Sequence, residues 1–487
     1  MEAKPMIFEV AVLLVGLAAL LRDLWLPADD KRSVGQMVAG LLAGAVVVSF
    51  WCDLPGDVTA FGGLYVMDGM AWFFKRFFLL AGLLVVLLSL DTTKEFKTGV
   101  GEYYALICFA LAGMLFAASA NDFTVLFVSL ELITITFYIL VSYRRSVAIS
   151  LEAGVKYLIL GALSSAVLLF GIALVFGVSG TMRFEELREV AGIHTSNPIF
   201  LFGMVMVLAG LAFKIAAFPF HLWAPDVYQG APTSTTAFLA VGSKAAGFAL
   251  LLRVMFHAVP QLTVEWSNVI VVLSAITILY GNLCAIPQRN LKRLLGYSSI
   301  SHGGYLLMGV AAASIAGQSA ILFYLGGYLF TALAAFAVIA LVMGASKSED
   351  ISQLAGLNKR SPFLAFAMTL SVVSLAGIPP LAGFFGKFLL IRAAIEGGTS
   401  HPGLYCLVGV AIIGVVISMY YYFGIIRAIY WSKTDGPETA RIEIPPASGV
   451  MIAICVVGML LIGMFPGLLL SAADAAVETG ALIVARQ

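Results

Sequence analysis

Charge is scarce in this 487-residue chain: Asp, Glu, Lys and Arg together make up 11% of it, against about 25% in soluble globular domains. With 61% hydrophobic residues and a mean hydropathy of +1.01, a soluble enzyme is excluded. Nor is there a surplus of either sign, because 28 basic residues meet 27 acidic ones; a basic surface that attracts nucleic acid or an acidic substrate is excluded with it. Cysteine is sparse too. Cys52, Cys108, Cys284, Cys406 and Cys455 stand far apart, in or beside apolar runs and without a Cys-x-x-Cys pair, which argues against zinc, iron–sulfur clusters and a disulfide framework. Neither a Gly-x-Gly-x-x-Gly after a strand nor a Walker A sequence is present, so no dinucleotide binding or ATP hydrolysis is expected. The stretch 6–26 lacks a small-residue cleavage site and reads as a first span, not as a removed signal peptide.

What the chain does have is long apolar sequence. A spanning helix takes about 20 apolar residues, and the runs are continuous instead of alternating over the ~10 residues of a barrel strand. An all-α polytopic membrane protein of about 14 transmembrane helices is therefore expected. The spans fall near 6–26, 35–51, 70–90, 101–119, 121–141, 153–177, 198–236, 237–256, 266–286, 296–315, 319–343, 362–396, 403–431 and 447–469. The odd-numbered loops hold Lys31, Arg32, Lys94, Lys97, Arg144, Arg145, Arg289, Lys292, Arg293, Lys347, Lys359, Arg360, Lys433 and Arg441, whereas the even loops and tails hold only Lys4, Arg183, Arg188 and Arg486. Basic residues concentrate on the cytoplasmic side, which places both termini outside.

Two spans are interrupted. Span 7 reads Lys214-Ile-Ala-Ala-Phe-Pro219-Phe-His221-Leu-Trp-Ala-Pro225-Asp226, and span 12 reads Ala376-Gly-Ile-Pro379-Pro380-Leu-Ala-Gly383-Phe-Phe-Gly386-Lys387. Proline removes a backbone donor and clashes with the preceding turn, so each span is expected to open at Pro219 or at Pro379 and Pro380. The openings free carbonyls at membrane depth, where irregular backbone persists only if it is buried in protein or lines a wet cavity. Tyr138 matches Tyr305, Tyr157 matches Tyr324 and Leu187 matches Leu354 at an offset of 167, which drifts to 160 between Pro219 and Pro379. Spans 4–8 and 9–13 thus read as two five-helix repeats, and five being odd, the second is inverted. The organisation expected is 1–100 for spans 1–3, 101–256 for the first repeat, 257–431 for the second, and 432–487 for span 14 and a tail.

Charges kept at mid-membrane cost roughly 2.5–3.5 kcal/mol each on insertion scales, which makes them functional candidates. Glu131, Lys214, Lys244 and Lys387 stand well inside their spans. Lysine exchanges a proton when burial and a nearby carboxylate pull its affinity in opposite directions, whereas arginine stays protonated; a Lys/Glu series therefore points to proton relay. Glu131 and Lys214 have opposite sign and can neutralise each other. His221 and His302 are candidates to bridge gaps, equally with plain interhelical hydrogen bonding. Lys156, Lys75 and Arg76 lie close enough to span ends for snorkelling to serve as well as function.

The stretch Phe213-Lys214 to Pro232, with Pro225-Asp226-Val-Tyr228, resembles the seventh-helix signature of the antiporter-like membrane subunits of bacterial respiratory complex I, in the form carried by the subunit N family. Ser129-Leu-Glu131-Leu, Val241-Gly-Ser-Lys244, Asn290-Leu-Lys-Arg to His302-Gly-Gly-Tyr305 and Ser374 to Lys387 support it across most of the chain. The resemblance implies that Glu131 and Lys214 form the ion pair of the inlet half-channel, that Lys244 is the central relay lysine, and that Lys387 is the terminal carrier near the exit. His302 falls in the histidine motif between them, and Lys156 matches a further family lysine. It implies a proton-translocating subunit in the cytoplasmic (inner) membrane of a bacterium, beside antiporter-like subunit M, the small membrane subunits and lipid. NADH, FMN, iron–sulfur clusters and quinone would belong to other subunits, with no cofactor or metal on this chain. The alternatives are a subunit of a multi-subunit sodium/proton antiporter or of a membrane-bound hydrogenase complex, and a scaffold whose buried charges only join helices.

Overall fold

The computed structural model describes residues 4–27, 31–51, 58–93, 96, 99–346, 348–432 and 441–486. Cys52, Lys94, Lys97, Lys347 and Lys433 lie outside the described residues. Backbone in lipid must satisfy its own hydrogen bonds, and the chain does so as helix: α1 (Ile7–Trp25), α2 (Arg32–Trp51), α3 (Gly69–Thr92), α4 (Val100–Ala118), α5 (Phe123–Val141), α6 (Ala148–Ser179), α7 (Phe184–His194), α8 (Pro198–Lys214), α9 (Trp223–Gly230), α10 (Thr233–Phe238), α11 (Lys244–Leu252), α12 (Pro260–Glu265), α13 (Ser267–Ala285), α14 (Leu291–Ala311), α15 (Ile315–Ser346), α16 (Leu357–Arg360), α17 (Pro362–Ala376), α18 (Ala382–Gly397), α19 (Gly403–Trp431), α20 (Pro446–Met464) and α21 (Gly467–Arg486). Between α2 and α3, β1 (Val58–Ala60) and β2 (Tyr65–Met67) pair antiparallel, with Val58 opposite Met67.

Ten helices among the described residues are long and apolar enough to cross a membrane: α2 to α6, the unit Thr233–Ala258 built from α10 and α11, then α13, α15, α19 and α20. The four other expected spans fall short for visible reasons. Helix α1 carries Glu9, Arg22 and Asp23, α14 opens on Leu291-Lys292-Arg293 and carries Ser298, Ser299, Ser301 and His302, and α8–α9 and α17–α18 are the interrupted pairs.

Burial orders the helices. In Thr233–Ala258 the most apolar window is wholly buried, against 28% for α19, so the helix bearing Lys244 runs through the centre of the molecule. That unit is not uniformly α-helical: Leu239–Ser243 and Arg253–Ala258 are π-helical turns, a wider winding that tends to mark functional segments.

At the first interruption α8 ends at Lys214 and Ala216 has φ 57°. The Trp223 indole donates to the freed Phe213 carbonyl at 2.9 Å, and Thr277 Oγ1 accepts from Phe218 N at 3.1 Å. At the second, Gly377 closes α17 with φ 84°, a left-handed value that glycine adopts without penalty. There the Lys387 ammonium itself donates to the freed carbonyls of Leu375 at 2.8 Å and Ala376 at 3.2 Å.

One boundary needs correction and two helices are added. The seventh span ends at Gly230, since Pro232 starts the next helix at Thr233. The tail after span 14 is helical: Pro466 breaks α20 and α21 begins at Gly467, packing against α3 and α15. Its Ser-Ala-Ala-Asp-Ala-Ala stretch is too polar to be read as a span. Helix α7 was also not expected; it is amphipathic, burying Phe184, Leu187 and Ala191.

Candidate functional site

The mid-membrane charges follow one line through the interior, each seated by a different helix. Glu131 on α5 is half-buried and accepts a hydrogen bond from Ser165 Oγ on α6. One turn on, Thr134 Oγ1 accepts from the Lys214 ammonium at 2.5 Å, and donates its own proton to the Leu130 carbonyl at 2.6 Å. The expected Glu131–Lys214 ion pair is thus not a direct contact: among the described residues no ion pair within 4.0 Å joins them, and Thr134 takes the lysine instead. Removing that acceptor isolates a buried cation. Thr134→Val should therefore destabilise the protein by about 1–3 kcal/mol, measured as a lower thermal midpoint of the assembled complex.

Lys244 is 3% exposed. Its ammonium donates to the carbonyl and the hydroxyl of Ser299 on α14, and no carboxylate pairs with it among the described residues. Helix α14 then carries the line onward. Ser299, His302 and Tyr305 recur every three residues, so they share one face and rise about 4.5 Å per step. Lys244 sits at Ser299; Lys387, 4% exposed, lies over the Tyr305 ring with its nitrogen 4.8 Å from the centroid. His302 stands between the two lysines. Gly303 makes this crowding possible, since a Cβ there would lie 3.1 Å from the Ile215 carbonyl and 3.9 Å from the Lys244 ammonium.

Each nitrogen of His302 faces a tyrosine hydroxyl: Nδ1 lies 2.5 Å from Tyr324 on α15, and Nε2 lies 3.1 Å from Tyr422 on α19. The Tyr422 hydroxyl also bonds Ser298, and Tyr228 bonds Ser299 at 3.2 Å. On the far side a cavity lined by His302, Tyr324, Tyr328, Thr331, Ser374, Leu375 and Gly383 leads to the break that Lys387 caps. Two hydroxyl clusters thus share this face, Ser299 with Tyr228 at Lys244 and Ser298 with Tyr422 and Tyr324 at His302, and a small cavity lies between the imidazole and the second break.

Not every expected residue joins this line. His221 is buried, but its ring stacks on Phe218 at 5.5 Å and meets Tyr280 edge-on at 4.3 Å; neither nitrogen has a hydrogen-bond partner among the described residues. It lies beyond the end of α8 at Lys214, where Ala216 turns the chain out of the helix, and so is not aligned with Lys214. The Lys156 side chain is 44% exposed and bridges Glu152 and Asp226 at 2.8 Å each, with Arg293 on the other Asp226 oxygen. It lies at a helix end, off the buried line. Lys75 does not snorkel: it is fully buried and paired with Glu9 at 2.6 Å. Lys292, counted above as a loop charge, is fully buried, paired with Glu349 at 2.8 Å and bonded to the Ala231 carbonyl at 2.9 Å. No motif in the sequence marks the tyrosines at His302, and Tyr324 stands out there only as the repeat match of Tyr157. No group of three or more His, Cys, Asp or Glu among the described residues is arranged to hold a metal ion.

Buried lysines strung across interrupted membrane helices define a class, the membrane subunits of ion-translocating complexes. The family described as NADH:quinone oxidoreductase/Mrp antiporter, TM matches residues 120–418. A NADH-quinone oxidoreductase subunit N from Desulforamulus reducens is 40% identical over 473 residues, 97% of each chain. A chain of respiratory complex I from Thermus thermophilus with bound aureothin has a TM-score of 0.79 at 31% identity, covering 96% of this chain and 100% of that one. A chain of the Mrp complex from Dietzia sp. DQ12-45-1b shares the fold, with a TM-score of 0.85 at 23% identity over 97% of each. The chain belongs to the NADH-quinone oxidoreductase subunit N family.

Proposed function

We propose that this chain is the proton-translocating membrane subunit N of an NADH:quinone oxidoreductase, and that Lys214, Lys244, His302 and Lys387 pass the proton along its interior. The observation that carries the relay is the single face of α14, which presents Lys244 at Ser299, the imidazole of His302 and Lys387 at Tyr305. Energy comes from electron transfer in partner subunits, which hold the FMN, the iron–sulfur clusters and the quinone site. The 14 expected spans, the inverted repeats and the outer placement of both termini in a bacterial inner membrane belong to this reading, as does subunit M as a neighbour.

Mid-way between two lysines, in an interior that screens charge poorly, a third cation is costly. A neutral imidazole avoids it. With a hydroxyl at each nitrogen, His302 accepts a proton from one tyrosine as it releases one to the other, and only its tautomer changes. Lys244 and Lys387 load and discharge at either end. Glu131, half-buried and one turn from the threonine that holds Lys214, biases the first lysine as its own surroundings change.

Tyr324→Phe and Tyr422→Phe keep each ring and remove one hydroxyl. Each is expected to lower protons pumped per NADH oxidised, with the complex present at normal abundance; unchanged stoichiometry in both would remove the tyrosines from the path. Purifying the complex that carries this chain tests the assignment itself. NADH:quinone reductase activity with flavin and iron–sulfur signals is expected, and sodium/proton exchange without them would favour the antiporter alternative.

A further inference from the structure

A second group of buried charges lies away from this line. Glu9 in the first turn of α1 pairs with Lys75 of α3 at 2.6 Å, and Arg253 grips both oxygens of Asp68, ahead of α3, at 2.5 and 2.7 Å. All four side chains are no more than 1% exposed, and these are the two ion pairs among the described residues with both partners that deeply enclosed. Replacing such pairs by apolar residues is often neutral or stabilising, so stability alone is a weak reason to keep two of them together.

Two further features distinguish the group from a clamp. Glu9 Oε2 is buried without a hydrogen-bond partner among the described residues, so the carboxylate is satisfied on one oxygen only. The Tyr65 hydroxyl, on β2, has one proton but two acceptors, Glu9 Oε1 and the Pro5 carbonyl, each at 2.9 Å, while it accepts from the Lys75 ammonium. It can donate to only one of them at a time. When Glu9 is ionised the proton faces Glu9, and when Glu9 is protonated it turns to Pro5, at the start of the chain. Arg253 follows Lys244 by nine residues in the same central helix, about 13 Å of rise, and begins its second π-helical stretch.

We infer that Glu9, Tyr65 and Lys75 form a second proton-holding site, at the end of the helix that bears Lys244. This rests on Lys244 being a relay lysine. An N–H bond of the Lys75 ammonium breaks as an O–H bond forms on Glu9, which leaves both groups neutral and the net charge of the pair unchanged. The Glu9 acid then gives its proton to the Tyr65 oxygen as the Tyr65 O–H proton leaves on the Pro5 side to a solvent water, which restores the carboxylate, and the Lys75 amine takes up a proton that the relay delivers through water, which restores the pair. Arg253 keeps its proton; with Asp68, and through its bond to the Ala118 carbonyl at 2.8 Å, it positions the β1–β2 hairpin against the central helix.

The test uses the complete complex in native membrane vesicles, with its abundance measured on native gels and protons pumped counted per NADH oxidised. Glu9→Gln and Tyr65→Phe are expected to lose the same share of pumping as Lys244→Met, at unchanged abundance. Full pumping in Glu9→Gln, or failure of both variants to assemble, would make the group a structural clamp and overturn the inference. If Glu9→Gln alone fails to assemble, Tyr65→Phe decides, since it keeps both charges. Full pumping in Lys244→Met would instead overturn the relay reading on which this rests.

Discussion

Lys244→Met is expected to abolish proton transfer through this chain while leaving the complex assembled. Methionine is close to lysine in length and fills the same space, so the principal packing change is the loss of a donor to the carbonyl and hydroxyl of Ser299. That loss costs about 1–3 kcal/mol, too little to unfold a helix buried along its whole apolar window. The functional loss is far larger. A positioned proton-transfer group contributes about 10²–10⁴-fold, and the Tyr228 phenol, bonded to Ser299 at 3.2 Å, does not replace an ammonium there. Lys244→Arg separates charge from chemistry, because arginine restores the cation but does not release its proton. The relay predicts that Arg pumps no better than Met, whereas a scaffold that uses Lys244 to join helices predicts recovery. The measurement is protons pumped per NADH oxidised in vesicles, with abundance from native gels.

The second large effect is structural. Gly383, at the start of α18, has its missing Cβ 1.9 Å from the Ser374 carbonyl oxygen, and its amide donates to Ser374 Oγ at 3.1 Å. No rotamer change relieves a contact with backbone. Gly383→Ala must therefore push α18 off α17 at the break, and overpacking of this kind typically costs about 1–3 kcal/mol, at times more. The displacement also carries Lys387 away from the Leu375 and Ala376 carbonyls that hold it. The expected result is a marked fall in the amount of assembled complex, with defective pumping in what remains. Normal abundance and normal pumping would show that the break does not need this close approach.

The four interior charges are legible because charge is so rare in these runs, and the two breaks because proline has no backbone donor. What joins them was not legible. Any of 17 tyrosines is compatible with a membrane helix, and only the crossing of α14 with α15 and α19 brings Tyr324 and Tyr422 to the two faces of His302. Opposite sign and the family resemblance both point to a Glu131–Lys214 pairing, and neither reveals that the threonine one turn along α5 is the nearer partner. Lys156 stands near a span end and matches a family lysine, and neither feature shows its carboxylate partner Asp226, which lies 70 residues away in sequence. Glu9, Asp68, Lys75 and Arg253 each sit near a span end, where a charge reads as ordinary, and it is their shared burial that sets them apart.

Ordered water in a high-resolution structure of the whole complex tests the central claim most directly. The relay predicts waters that bridge Lys214 to Lys244 and His302 to Lys387. A continuous dry, apolar gap between any two of these residues, in the active complex at a resolution where water is visible elsewhere in the membrane, would contradict it.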